Sequence, residues 1–246
     1  MNAIETTGLT KEFRGRTAVD GLDLCVPAGE LLALLGTNGA GKTTTIRMLC
    51  GLLAPTAGSA LLLGHSIVRE PEAAKRLLNV SPQETAVAPK LTVLENLEFV
   101  ARLYGAAKAD AARKAQAALE TFHLASRAKD RAQTLSGGLQ RRLSIAMALM
   151  SDPQILFLDE PTLGLDVRAR RELWRFIETL KGRVTVILTT HYLEEAEALA
   201  DRIAVLHAGR LRALGTAEEL KQLAGTQDFE EAFLNLTGEE GERPCA

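Results

Sequence analysis

One run, Gly36-Thr37-Asn38-Gly39-Ala40-Gly41-Lys42-Thr43, constrains this chain more than any other stretch, because it fits the pattern G-x-x-x-x-G-K-[ST]. The residues around it give the pattern physical meaning. Leu31-Leu32-Ala33-Leu34-Leu35 before it is short and wholly apolar, as a buried parallel strand is. Thr44-Thr45-Ile46-Arg47-Met48-Leu49 after it reads as a helix. Glycines between strand and helix let the backbone curl so that several N–H groups face one anion, and the helix N-terminus adds partial positive charge. In such a cradle Lys42 reaches the β- and γ-phosphates of a nucleotide and the Thr43 hydroxyl holds Mg²⁺, while Asn38, Gly39, Ala40, Gly41 and Thr44 line the phosphate path.

Leu135-Ser136-Gly137-Gly138 opens a second small-residue helix N-terminus, continuing through Leu139-Gln140-Arg141-Arg142-Leu143. Ser-Gly-Gly taken alone reads as a helix cap. Ile155-Leu156-Phe157-Leu158 is then an apolar strand ending in Asp159-Glu160. Phosphate loop, LSGG and strand-Asp-Glu, in that order, resemble the ATP-binding cassette (ABC) ATPases, and the resemblance runs from about Ile4 to Gly225. It implies an α/β fold: a P-loop NTPase (RecA-like) core with an N-terminal antiparallel β subdomain and an inserted helical subdomain. A nucleotide-binding domain is expected over residues 1–223, with the helical insert at about 84–150 and a C-terminal tail over 224–246.

The periodicities agree with that plan. Leu22, Leu24 and Val26 alternate with Asp23 and Cys25, so the first thirty residues predict short strands, and Ser59 to Leu63 predicts another. Thr92-Val93-Leu94-Glu95 is a capping box; Leu94, Leu97, Ala101 and Tyr104 follow at helical spacing, with Gly105 to end the helix. Ala109 to Phe122 is again helical. Val184 to Leu188 predicts a buried strand leading to His191, Leu193 to Ala200 a helix, and Arg202 to Leu214 a hairpin turning at Ala208-Gly209. Phe229, Phe233 and Leu234 are candidates to anchor a short helix in the polar tail.

The bulk chemistry removes other classes. A net charge of −2 and a pI near 6.1 give no electrostatic case for nucleic acid, and Arg168-Ala169-Arg170-Arg171 reads as a solvated helix face. Cys25, Cys50 and Cys245 form no C-x-x-C and no metal spacing, as in a reducing compartment. The first residues lack a basic segment followed by an apolar run, and the apolar stretch from Met48 to Leu63 is broken by Gly51, Pro55 and Gly58. A transport path would therefore come from another chain.

The resemblance assigns roles residue by residue. Asp159 is the expected partner of Mg²⁺, and Glu160 the general base facing the attacking water. Gln83, in Ser81-Pro82-Gln83-Glu84, matches the glutamine loop, which contacts Mg²⁺ or the water. His191, after Thr189-Thr190, matches the switch histidine on the γ-phosphate. Phe13 stands where the family has an adenine-stacking aromatic, usually Tyr, with Val19 expected against the same ring. Ser136, Gly137 and Gly138 would complete the ATP site of a second copy, and Asp166 would meet that copy, giving a head-to-tail dimer with two ATPs between the subunits. The signature departs from the commonest form in having Leu139 before Gln140.

These readings imply an ATPase subunit, with ATP and Mg²⁺, that serves a polytopic membrane permease from the cytoplasmic face of the cell membrane. Leu193-Glu194-Glu195-Ala196-Glu197 and the ending Phe229 to Gly238 resemble single-cassette exporters of drugs, sodium or polysaccharides. An amino-acid importer cassette and a soluble iron–sulfur assembly ATPase remain open at this point.

Overall fold

A computed structural model of the chain describes residues 1–238. The chain opens on an antiparallel hairpin, β1 (Asn2–Phe13) and β2 (Arg16–Pro27). Both strands have twelve residues where the sequence predicts short ones. Register shifts between Thr6 and Leu9 and between Leu9 and Lys11 carry the pairing past irregular residues that would otherwise end a strand. Then come β3 (Leu31–Leu35), α1 (Lys42–Leu49), β4 (Ala57–Leu62), the two-residue β5 (His65–Ser66), α2 (Pro71–Lys75) and β6 (Leu78–Ser81). The long helices α3 (Val93–Leu103), α4 (Lys108–Thr121) and α5 (Gly137–Leu149) follow. The remainder alternates as β7 (Ile155–Asp159), α6 (Val167–Glu178), β8 (Thr185–Thr190), α7 (Leu193–Leu199), β9 (Arg202–His207), β10 (Arg210–Gly215), α8 (Ala217–Ala224) and α9 (Phe229–Thr237).

Two sheets result. The order β2-β1-β4-β5 makes an antiparallel sheet, and β10-β9-β3-β8-β7-β6 makes a second, parallel except for β10. Parallel pairing brings the carboxyl ends of β3, β6, β7 and β8 to one edge, with Leu35 beside Thr190, Asp159 beside Thr189 and Ser81 beside Leu158. Ligands bind at that edge in open α/β sheets. Strand β7 is buried on both faces, hence its unbroken apolar run: Leu156 and Leu158 pack with α3, α5 and α6, while Ile155 and Phe157 pack with β1, β2 and α1.

Helix signals in the sequence translate directly in places. Both halves of the capping box form, Glu95 N donating to Thr92 Oγ1 at 3.1 Å and Thr92 N to Glu95 Oε2 at 2.8 Å. Helix α3 buries Val93, Asn96, Leu97 and Ala101. Tyr104, expected on that stripe, is exposed because it caps the helix rather than continuing it. In α9, Phe229 and Ala232 are buried and Phe233 partly so, whereas Leu234 falls on the opposite face and is exposed. Arg170 is not freely solvated: its guanidinium lies 5.3 Å from the Tyr192 ring and pairs with Glu194 at 3.9 Å. Cys25 is exposed and Cys50 buried, both as free thiols, and the expected Cys245 lies outside the described residues. Among the described residues no helix is long and apolar enough to cross a membrane.

Candidate functional site

A cleft of about 610 Å³ opens at the carboxyl edge of the parallel sheet. Its floor is the loop from β3 to α1. A Cβ on Gly36 would stand 2.4 Å from the Leu206 carbonyl oxygen, so only glycine lets the loop leave β3 that closely. Gly41 has φ of 102°, and a Cβ there would stand 2.5 Å from the Ala18 oxygen. Asn38, Gly39, Ala40, Gly41, Lys42, Thr43 and Thr44 all line the cleft, as the sequence predicts.

Lys42 is the buried cation of the site. Its Nζ donates to the carbonyls of Gly36 at 2.7 Å and Thr37 at 3.3 Å, and stands 3.5 Å from Glu160 Oε1. Glu160 follows β7 with φ of 48°, a left-handed conformation costing a non-glycine residue roughly 1–2 kcal/mol. The strain is held by the neighbouring strand, since Glu160 N donates to Thr189 Oγ1 at 3.0 Å. That turn aims the carboxylate at Lys42 on one side and at His191 on the other, where Oε2 is 2.7 Å from Nδ1. Lysine from the first turn of α1, glutamate from the end of β7 and histidine from the end of β8 thus meet around one carboxylate.

The neighbouring oxygens form a second group. Thr43 Oγ1 donates to Asp159 Oδ1 at 3.4 Å, and Thr189 Oγ1 donates to the same oxygen at 2.5 Å. Among the described residues no cluster of three or more His, Cys, Asp or Glu side chains could hold a metal by itself. A sparse set of hard oxygens with Gln83 nearby suits Mg²⁺, which keeps waters and leans on substrate phosphates.

The opposite wall comes from the β1–β2 turn. Phe13 is half exposed over the cleft, with Lys11 Nζ 5.2 Å from its ring centroid. Arg16 and Ala18 also line the cleft, and the sequence reading missed both. Val19, expected against the Phe13 ring, is not among the residues that line the cleft. It is buried in the core beneath the phosphate loop, where its Cγ2 would meet a Gly41 Cβ at 3.3 Å. Strand alternation explains the exchange: Ala18 faces the cleft, so Val19 must face away.

Ser136, Gly137, Gly138 and Asp166 do not line the cleft of their own chain. Ser136 stands at the N-terminus of α5, exposed, and its hydroxyl makes no cap hydrogen bond. Asp166 is also exposed and caps α6, its Oδ1 accepting from Ala169 N at 2.8 Å. The two loops adjoin, since a Cβ on Gly137 would lie 3.7 Å from the Leu165 side chain.

Two buried ionisable groups brace the site from behind. Arg141 donates from Nη1 to the Pro82 carbonyl at 2.6 Å and from Nη2 to that of Gln83. Burial pulls its guanidinium below the usual range, against the opposing charge of Asp159. Glu195, on α7, is fully buried and accepts from Trp174 Nε1 at 3.0 Å. Burial pushes its carboxyl up, against the pull of the Thr190 and Thr162 hydroxyls and the Trp174 indole, and Glu160 adds to the rise. The sequence reading assigns neither residue a role.

Comparison with known proteins gives one answer. The family model described as ABC transporter matches residues 19–163. The daunorubicin/doxorubicin resistance ATP-binding protein DrrA of Streptomyces peucetius is 49% identical over 226 residues, covering 91% of this chain and 68% of that one. The Nod factor export ATP-binding protein I of Paraburkholderia xenovorans is 44% identical, covering 89% of this chain and 72% of the relative. A solved ATP-binding subunit of an ABC transporter superposes with a TM-score of 0.83 at 30% identity, covering 95% of this chain and 99% of that one.

Proposed function

The chain belongs to the ABC transporter family as an ATP-binding and ATP-hydrolysing subunit, and we propose that it powers an exporter through a separate polytopic membrane protein. The observation that carries the catalytic part is the meeting of Lys42, Glu160 and His191 in one cleft, with Thr43 and Asp159 beside them. In this reading the nucleotide-binding domain is 1–223, with the helical insert at about 84–150 and the tail at 224–246.

ATP lies with its base against Phe13 and its phosphates along the loop from Asn38 to Thr44. Lys42 turns from the carbonyls of Gly36 and Thr37 to the β- and γ-phosphates. Glu160 takes the proton of the water that attacks the γ-phosphorus as its bond to the β–γ bridging oxygen breaks and ADP leaves, and His191 holds the carboxylate in line and contacts the γ-phosphate. Thr43, Asp159 and Gln83 would hold Mg²⁺, which would supply neutralisation of the phosphate charge. Ser136, Gly137 and Gly138 of a second copy close the site, and Asp166 meets that copy. The uncapped, exposed Ser136 hydroxyl and the bare N-terminus of α5 support that part, because both are free to meet a phosphate from outside.

Export is favoured because relatives sharing nearly the whole chain carry names for drug resistance and Nod factor export. Neither the amino-acid importer nor the iron–sulfur assembly reading draws such support. The subunit then sits peripherally on the inner face of the cell membrane. Purification under mild detergent is expected to bring down a polytopic membrane protein, with crosslinks from residues 87–91. Recovery of soluble partners alone would overturn the transport reading.

A further inference from the structure

Strand β6 is the edge of the parallel sheet, and its pairing with β7 ends at Ser81. Beyond it the carbonyls of Pro82 and Gln83 have left the ladder, and both are taken by one side chain, Arg141, which is 5% exposed. One turn further along the same face of α5, Ser144 Oγ lies 3.2 Å from Ser81 Oγ. Three consecutive residues, 81 to 83, are thereby fastened to the helix that begins at Gly137. The segment then returns to the approach of that helix, with Gln133 N donating to the Pro89 carbonyl and Ala132 N to that of Leu91.

We propose that Arg141 is a positioning residue that fixes Gln83 in the ATP cleft and couples its place to the helix bearing Ser136, Gly137 and Gly138. The planar guanidinium fork spans two successive carbonyls, which a lysine ammonium does as a point charge only. A shift of the Gln83 backbone must carry α5 with it or break two charge-assisted bonds in a buried place. One ATP site is thereby joined to the surface offered to the other. This rests on the proposed role of Gln83.

The test is a double-mutant cycle on the full chain with Arg141→Met, Gln83→Ala and the pair, reading ATP affinity, KM and kcat separately. Arg141→Met is expected to lower kcat about tenfold while ATP affinity stays within about threefold of wild type. The pair is expected to fall within about twofold of Gln83→Ala alone, because Arg141 acts through Gln83. Multiplying effects would overturn the coupling, as would an unchanged kcat in Arg141→Met. An unchanged kcat in Gln83→Ala would instead overturn the role of Gln83, and the proposal with it. Should Arg141→Met fail to fold, Arg141→Lys carries the same cycle, since it keeps the charge and loses the fork.

Discussion

Replacing Lys42 by alanine removes the cation buried at the floor of the cleft. The ammonium holds two loop carbonyls at 2.7 and 3.3 Å and lies 3.5 Å from Glu160. In the proposed complex it instead makes charge-assisted bonds to phosphate oxygens, and losing such a contact costs roughly 1.5–3 kcal/mol. At about 1.4 kcal/mol per tenfold, ATP should bind roughly 10- to 150-fold more weakly. The glycine loop itself should persist, because its backbone at Gly36 and Gly41 is also seated closely against Leu206 and Ala18. The assay is direct titration with a non-hydrolysable ATP analogue, alongside a melting curve to confirm the fold. An affinity within about threefold of wild type in a folded variant would refute the reasoning.

Two further outcomes are expected. In a Glu160→Gln background, Ser136→Arg should leave ATP binding by the monomer intact and abolish ATP-driven dimerisation on size exclusion; a dimer there would mean that Ser136 serves only its own helix. Glu195→Gln should melt progressively higher than wild type as pH rises from about 4.5. A carboxyl whose pKa is raised by folding stabilises below the unfolded value of about 4.3 and loses that contribution as pH climbs to the folded value, and the amide has nothing to lose. A gap in melting temperature that fails to widen as pH rises from about 4.5 would contradict the buried-acid assignment.

The parts legible in the sequence were those set by near neighbours. Strand, glycine loop and helix around Lys42 are a local pattern, as is the capping box at Thr92, and both appear in the fold as read. The turn at Ala208-Gly209 is local too, with both residues at positive φ. What escaped was set by distant partners. Arg141 reaches carbonyls 58 and 59 residues earlier, and no periodicity marks it. Thr189 could be seen only as context for His191 until β7 and β8 were paired, when its hydroxyl proved to serve both Asp159 and Glu160. Val19 and Ala18 were exchanged because the phase of β2 against the cleft depends on bulges in its pairing with β1. Tyr104 fits the helical stripe by spacing alone, but the helix ends before reaching it.

The most direct measurement is ATP turnover and ATP binding by Glu160→Gln in the same preparation. The amide keeps the shape of the side chain held between Lys42 and His191 but takes no proton. Turnover should fall by about 10²–10⁴-fold while ATP stays bound and a dimer accumulates. Hydrolysis near the wild-type rate would show that Glu160 is not the base, and that its strained place between lysine and histidine serves something other than catalysis.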